Sequence, residues 1–142
     1  IQRLNKENLV TEILDHQIFL PAACQGVIGV QGKKNTHIKK IFNSVNDLHT
    51  QDECTAERNV LRKIKANCNS PVSVFAKIKN DQIEIKIDMF EHSGNKIFDR
   101  IISGNKEDYM HLSNQLGNEI IDKLGQDKIN RLDELNDFDY TP

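Results

Sequence analysis

No stretch of this sequence is apolar for long enough to cross a bilayer. The longest run, Val27–Val30 behind Phe19–Cys24, is short and interrupted, and no signal-peptide pattern opens the chain. A cytoplasmic protein with no membrane partner is therefore the expectation. There is also no basic stripe interleaved with aromatics. The densest positive spots, Lys33/Lys34 and Lys39/Lys40, read as solvated surface, so no nucleic-acid partner is expected. The three cysteines, Cys24, Cys54 and Cys68, lack CxxC spacing and have no adjacent histidine at metal-ligand intervals. That pattern supports neither a disulfide framework nor a zinc site, and an odd number leaves at least one thiol reduced. The five histidines (His16, His37, His49, His92, His111) form no HxxxH or triad-like group, so none is assigned to catalysis. Repeats and low-complexity segments are missing as well.

What is present is an ordinary globular composition: 142 residues, 28% charged, 37% hydrophobic, formal net charge −2. That length buries one real core but is short for an enzyme that must enclose a large substrate. The chain opens at Ile1 rather than Met, inside a helix-like stretch, which suggests a piece of something longer.

Leu4, Leu9, Ile13 and Leu14 share a helical face that stops before Phe19-Leu20-Pro21, because proline pushes the preceding residue out of the helical region. Val27 to Gln31 reads as a short buried strand after a Gln25-Gly26 turn. Ile38, Ile41, Phe42 and Val45 recur at helical spacing, with Asn35 or Thr36 placed to cap. Thr50-Gln51-Asp52-Glu53 matches a capping box opening a second helix through Val60, Leu61 and Ile64. It ends in the polar break Ala66-Asn67-Cys68-Asn69-Ser70-Pro71, which puts Cys68 on a loop between a helix and a strand.

Three alternating segments come next: Val72 to Ile78, Ile83 to Met89 and Ile97 to Ile102. Asn80-Asp81 and Ser93-Gly94-Asn95 separate them, so they form an antiparallel meander. Asn105 caps a helix with Tyr109, Leu112, Leu116, Ile120 and Leu124 on one face, closed by Gly125. Asp127 opens a last short helix through Ile129, Leu132 and Leu135, before an acidic tail over Asn136–Pro142. A meander with one apolar face can bury it only against these helices. The fold expected is α+β: a three-stranded antiparallel sheet covered on one face by helices, preceded by a short helix-strand segment.

Two stretches carry a family resemblance. Leu20-Pro21-Ala22-Ala23-Cys24-Gln25-Gly26-Val27-Ile28-Gly29-Val30 is similar to the Leu-Pro-Ala-x-x-Gln-Gly turn of porphobilinogen deaminases (hydroxymethylbilane synthases). Glu57-Arg58, then Cys68 and Pro71, resembles their helix Glu-Arg leading into a Gly-Gly-Cys loop and a Pro-containing strand. The likeness covers Phe19 to Gly125 and corresponds to about the second half of a family member. It departs from the pattern at Ala66 and Asn67, where two small residues, usually glycines, stand. Further departures are Ser70 before Pro71, Cys24 in place of a frequent glycine, and Gln31 and Lys33 where an acid and an arginine are common.

The resemblance implies an enzyme of tetrapyrrole (heme) biosynthesis that condenses four porphobilinogen molecules head to tail into hydroxymethylbilane, releasing ammonia. The growing chain is built on a dipyrromethane cofactor attached through a cysteine thioether, and Cys68 is the implied attachment point. A thiol suits this role, since a thioether survives many turnovers without hydrolysis or exchange. Gln25 and Gly26 are candidate cofactor contacts, their competing role being simply to shape the turn. Arg58 reads as the partner of Glu57 or another carboxylate, and Lys33 as a weaker candidate for the same polyanion. The resemblance places the catalytic aspartate and arginines in an N-terminal half, so no catalytic residue is assigned here. Residues 1–46 are then the tail of the N-terminal domains and 47–142 the cofactor-carrying domain, inactive without that half. The rival reading is a stand-alone α+β binding or interaction module with an incidental surface cysteine. An exposed apolar patch along Phe19–Val30 would favour the first reading and a closed polar surface the second.

Overall fold

A computed structural model describes residues 1–33 and 36–132. The α-helices and strands are α1 (Thr36–Val45), α2 (Leu48–Ile64), β1 (Val72–Lys79), β2 (Gln82–Phe90), β3 (Lys96–Asn105), α3 (Tyr109–Leu124) and α4 (Gln126–Leu132), of which all but α1 supply the core. The strands form one antiparallel sheet in the order β1-β2-β3. The expected α+β architecture is thus the one observed.

The sheet is set by two turns. Asn80 and Asp81 both take positive φ (49° and 62°), the conformation of a two-residue hairpin whose twist matches the strands. They set the register of β1 on β2, with Val74 opposite Ile87 and Ala76 opposite Ile85. The second hairpin turns through Gly94 (φ 87°), with Gly94 N donating to Glu91 O at 2.8 Å. Val74, Ala76, Ile83, Ile85, Ile87, Met89, Phe98 and Ile102 all fall on one face and are buried. Against them pack Ala56, Val60 and Ile64 of α2, Leu112, Leu116 and Ile120 of α3, and Ile129 and Leu132 of α4. Each large aliphatic side chain so buried contributes roughly 1.5–3 kcal/mol.

Helices α2 and α3 approach closely at Gly117, where an added Cβ would lie 2.4 Å from Lys63 Cγ. Beside this contact Asn59 Nδ2 donates to Ser113 Oγ (2.9 Å) and Asn114 Oδ1 (3.0 Å), a polar pin in an otherwise apolar seam. Asn105 caps the entry to α3 as expected, its side chain accepting from Glu107 N at 3.0 Å. Gly125 (φ 77°) ends that helix.

Three expectations need correction. The capping box at Thr50 is not used: α2 begins at Leu48, and Asp47 caps it by accepting from Thr50 N at 2.7 Å. That bond holds the Asp47 carboxyl below its ordinary value. Glu53 is then free for another partner. Second, Leu4 to Leu14 forms no continuous helix, only 3-10 turns over Gln2–Leu4 and Glu7–Leu9. Leu4, Leu9, Ile13 and Leu14 are exposed, and a segment this short has little helical stability without a surface to pack on. Third, Val27 to Gln31 is not a strand. The outer edge of β1, one place where it could have paired, is taken by side chains of α2. Of the two residues expected to cap α1, Thr36 is its first helical residue, while Asn35, like Leu135 and the tail over 136–142, lies outside the described residues.

Those side chains are Glu53 and Glu57. Ile78 N donates to Glu53 Oε1 at 2.7 Å and Ala76 N to Glu57 Oε1 at 2.8 Å. Four residues of helix rise about 6 Å, and two residues of strand advance about 6.8 Å. Two carboxylates one turn apart can therefore meet alternate amides of an edge strand. Lys77 Nζ lies 3.2 Å from Glu53 Oε1 and offsets part of its charge. Replacing Glu53 with Ala leaves the Ile78 amide without that acceptor. Urea unfolding should show a loss of about 1–2 kcal/mol, the cost of unpairing a largely buried donor.

Candidate functional site

The turn that begins at Leu20 is closed locally and anchored globally. Gln25 N donates to Ala22 O at 3.1 Å, and Ala22 N donates back to the Gln25 side-chain oxygen at 3.1 Å. Gly26 takes φ 84°. Cys24, one of the departures from the resemblance, also lies in the left-handed region (φ 59°), a conformation that a residue without Cβ adopts at less cost. Leu20 is buried, and Ala23 packs on the core.

Glu57 ties this turn to the domain. Its Oε2 accepts from Cys24 N at 2.6 Å while Oε1 holds the β1 amide, so one buried carboxylate joins turn, helix and sheet edge. Arg58 was expected to pair with Glu57 or another carboxylate; Glu57 is taken by this arrangement, and Arg58 projects from the exposed side of α2.

At the far end of α2 the chain reverses through Lys65, whose φ of 58° gives a left-handed helix terminus with Ala66 N donating to Leu61 O at 2.9 Å. Neither Ala66 nor Asn67 takes positive φ. The left-handed residue is thus Lys65, at a cost of about 1 kcal/mol relative to glycine, and the departures at 66 and 67 leave the backbone unstrained. Asn67 organises the loop from 67 to 70. Its Oδ1 accepts from Asn69 N (2.8 Å), its own N–H donates to Ser70 Oγ (2.8 Å), and its carbonyl accepts from Ser70 N (3.2 Å). Cys68 sits at the tip of this loop with its thiol exposed, Sγ 3.8 Å from Asn69 Oδ1.

The two sequence motifs converge here. A cleft of about 670 Å³ is lined by Ala22, Ala23 and Cys24 from the turn, Arg58, Leu61 and Arg62 from α2, and Ala66 to Cys68, Ser70 and Val72 from the loop and β1. Gln25 and Gly26 line a separate cleft of about 750 Å³ that continues along Val27 to Val30, and Arg58 borders both. Phe19, Val27, Ile28 and Val30 are solvent-exposed, Ile28 to 89% and Val30 to 63%, so the stretch Phe19–Val30 presents an apolar surface. Lys33 lines neither cleft. Among the described residues no group of three or more His, Cys, Asp or Glu is placed to hold a metal, and no helix is long and apolar enough to cross a membrane.

Sequence reasoning missed Glu53 and Glu57 as edge partners of β1, and it missed the contact between Cys24 and Cys54. The available signal was the i, i+4 spacing of two acids on a helix face that otherwise reads as buried.

Comparison with known proteins agrees with the motifs. The family model for the C-terminal domain of porphobilinogen deaminase matches residues 51–122. Among curated relatives, porphobilinogen deaminase of Clostridium beijerinckii is 30% identical over 122 residues, covering 86% of this chain and 41% of that protein. The Clostridium kluyveri protein is 31% identical over 121 residues, covering 85% of this chain and 41% of its own length. The Prochlorococcus marinus protein is 30% identical over 133 residues, covering 91% and 41%. The chain belongs to the porphobilinogen deaminase family, and it spans about two fifths of the length of these relatives.

Burial, aided by nearby Glu53, raises the Glu57 carboxyl above its ordinary value of 4.5, against the lowering effect of its two backbone donors. A carboxyl whose folded pKa exceeds its unfolded one contributes stability that is fully present below about 4.5 and is lost as pH rises through the folded value. Asp47, Asp81 and Glu119 are shifted down and act oppositely, losing their contribution as pH falls. The urea midpoint should therefore decline as pH rises from 4.5, and Glu57→Gln, which cannot ionise, should lack that decline. A variant whose midpoint tracks the parent across this window would remove Glu57 as its source.

Proposed function

We propose that this chain is the cofactor-tethering domain of a porphobilinogen deaminase and that Cys68 forms the thioether to a dipyrromethane. The single observation that carries the reading is the meeting of both family motifs at one cleft with an exposed thiol at its rim. The residues present suit the group. The cleft is open beside Cys68, and Arg58 and Arg62, one turn apart on α2, supply guanidinium groups for pyrrole acetate and propionate side chains. When bound, the dipyrromethane supplies the end on which further pyrrole units are condensed with loss of ammonia.

The chain's own residues do the holding. Cys68 gives the covalent anchor, and a loop anchored by α2 on one side and β1 on the other lets an attached oligopyrrole shift as it lengthens. Gln25 and Gly26 set the turn that brings Ala22–Cys24 into the cleft wall, and offer amide contacts from the adjoining cleft. The activity expected of the whole protein is condensation of four porphobilinogen molecules into hydroxymethylbilane, a transferase step of heme biosynthesis.

On this reading residues 47–142 form the tethering domain, and residues 1–46 form the connection to an N-terminal half that carries the catalytic groups. The exposed apolar side chains of Phe19–Val30 favour it over a stand-alone module, since they form the surface such a half would cover. We place the protein in the cytoplasm, in keeping with three free thiols.

The protein purified with its N-terminal half should carry an added mass matching two linked pyrroles, mapped to the Cys68 peptide and lost in Cys68→Ser. An unmodified Cys68 in that complete protein would turn the assignment to a degenerate relative or a binding module. The 142-residue chain alone should release no ammonia from porphobilinogen, and turnover by it would overturn the division of labour.

A further inference from the structure

We propose that Cys24 and Cys54 are a closable thiol pair, joined by a low-molecular-weight disulfide such as oxidised glutathione into an intramolecular disulfide that pins the Leu20–Gly26 turn to α2. The proposal is independent of the reaction assigned above.

The two residues lie 30 apart in sequence, yet Cys24 Sγ is 3.7 Å from the Cys54 carbonyl oxygen, to which its S–H donates. The Cys54 thiol is in turn flanked by the Cys24 thiol. This meeting is imposed by the bond from Cys24 N to Glu57, which stands one helical turn beyond Cys54 on the same side of α2. Both thiols are half-buried and within reach of a small reagent. Closing the bond brings sulfur onto sulfur at about 2 Å, from a starting point in which the Cys24 sulfur already touches the Cys54 backbone. Cys68 is set apart from Cys54, because the helix between Cys54 and Ile64 is roughly 15 Å long; it shares a cleft with Cys24, so a Cys24–Cys68 link in the peptide map would also overturn the proposal.

The exchange balances. The Cys24 thiolate, its proton released to solvent, attacks one sulfur of oxidised glutathione and expels a glutathione thiolate. Cys54 then gives up its proton and attacks the Cys24 sulfur, expelling the second glutathione thiolate. Two protein S–H bonds become one S–S bond, and the reagent takes up two electrons to become two thiols. The order is set by the surroundings: burial, then the neighbouring Cys24, pushes the Cys54 thiol up to about 11, so Cys24 is the attacking group and Cys54 the resolving one. A thiol that holds its proton so firmly also leaves slowly, so reduction proceeds by attack at the Cys54 sulfur with Cys24 departing.

Closure would fix the wall of the Cys68 cleft by a covalent bond, where otherwise the Glu57 carboxylate holds it. The test is to treat the full chain with oxidised glutathione, block remaining thiols with iodoacetamide, and map peptides without reduction. The result expected is a linked pair containing Cys24 and Cys54, lighter by two hydrogens than its parts. The free thiol count should fall from three to one, and the urea midpoint should rise until dithiothreitol is added. In Cys54→Ala, which keeps the backbone carbonyl, Cys24 should instead accumulate a stable glutathione adduct. Finding Cys24 and Cys54 separately alkylated in the parent chain, a lasting glutathione adduct on its Cys24, or a linked pair with an unmoved midpoint would overturn the proposal.

Discussion

The edge of β1 is closed by carboxylates where another sheet would use a strand, and most of the domain depends on that closure. Glu53 and Glu57 accept the amides of Ile78 and Ala76, which would otherwise be open to pairing with another chain. The helix can do this because four residues of helix and two of strand have nearly the same length. Fixing α2 along the edge places Ala56, Val60 and Ile64 over the sheet, which in turn sets the floor for α3. The cost is two nearby carboxylates with little water, visible in the raised Glu57 carboxyl, and Lys77 relieves only the Glu53 end.

Glu57 extends the same device beyond the domain. One of its oxygens serves the sheet and the other the backbone of Cys24, so a turn far away in sequence is held against the helix that leads to Cys68. This is why two motifs joined through residues 33 apart in sequence, Cys24 and Glu57, share a cleft. It also gives Glu57 a structural reason to stand in the motif with Arg58: the acid binds the backbone inward while the arginine stays outward at the cleft.

Elements specified by local chemistry were legible in the sequence. The Asn80-Asp81 hairpin, the alternation of Ile83, Ile85 and Ile87, and the Asn105 cap needed only turn propensity and periodicity, and each appears where expected. What was not legible depends on partners distant in the chain. The Thr50 capping box is a sound local pattern, but Asp47 offers an equivalent acceptor three residues earlier and Glu53 is worth more on the sheet edge. The helix-strand segment expected over Leu4 to Gln31 had the right composition but stays largely exposed, with no surface among the described residues to complete it. The cleft was half legible: Cys68 on a loop could be read from Asn67 and Pro71, whereas the arrival of Ala22–Cys24 opposite it required the Glu57 bond.

The loop that carries Cys68 takes a defined shape without the two glycines that the family resemblance led us to expect. The turn needs one left-handed residue, and here it is Lys65, one position before the sites where glycine is usual. From Ala66 onward the backbone stays at negative φ as far as Lys79, and Asn67 supplies side-chain bonds that hold the tip in place. Glycines make such a loop permissive, whereas an asparagine bonded through its own side chain defines its shape. The thiol is thus presented on a tip stiffened at its base and exposed at its sulfur. A group attached there, as we propose, would move by rotation about its own bonds more than by flexing of the backbone beneath it, so α2 and β1 would keep their packing.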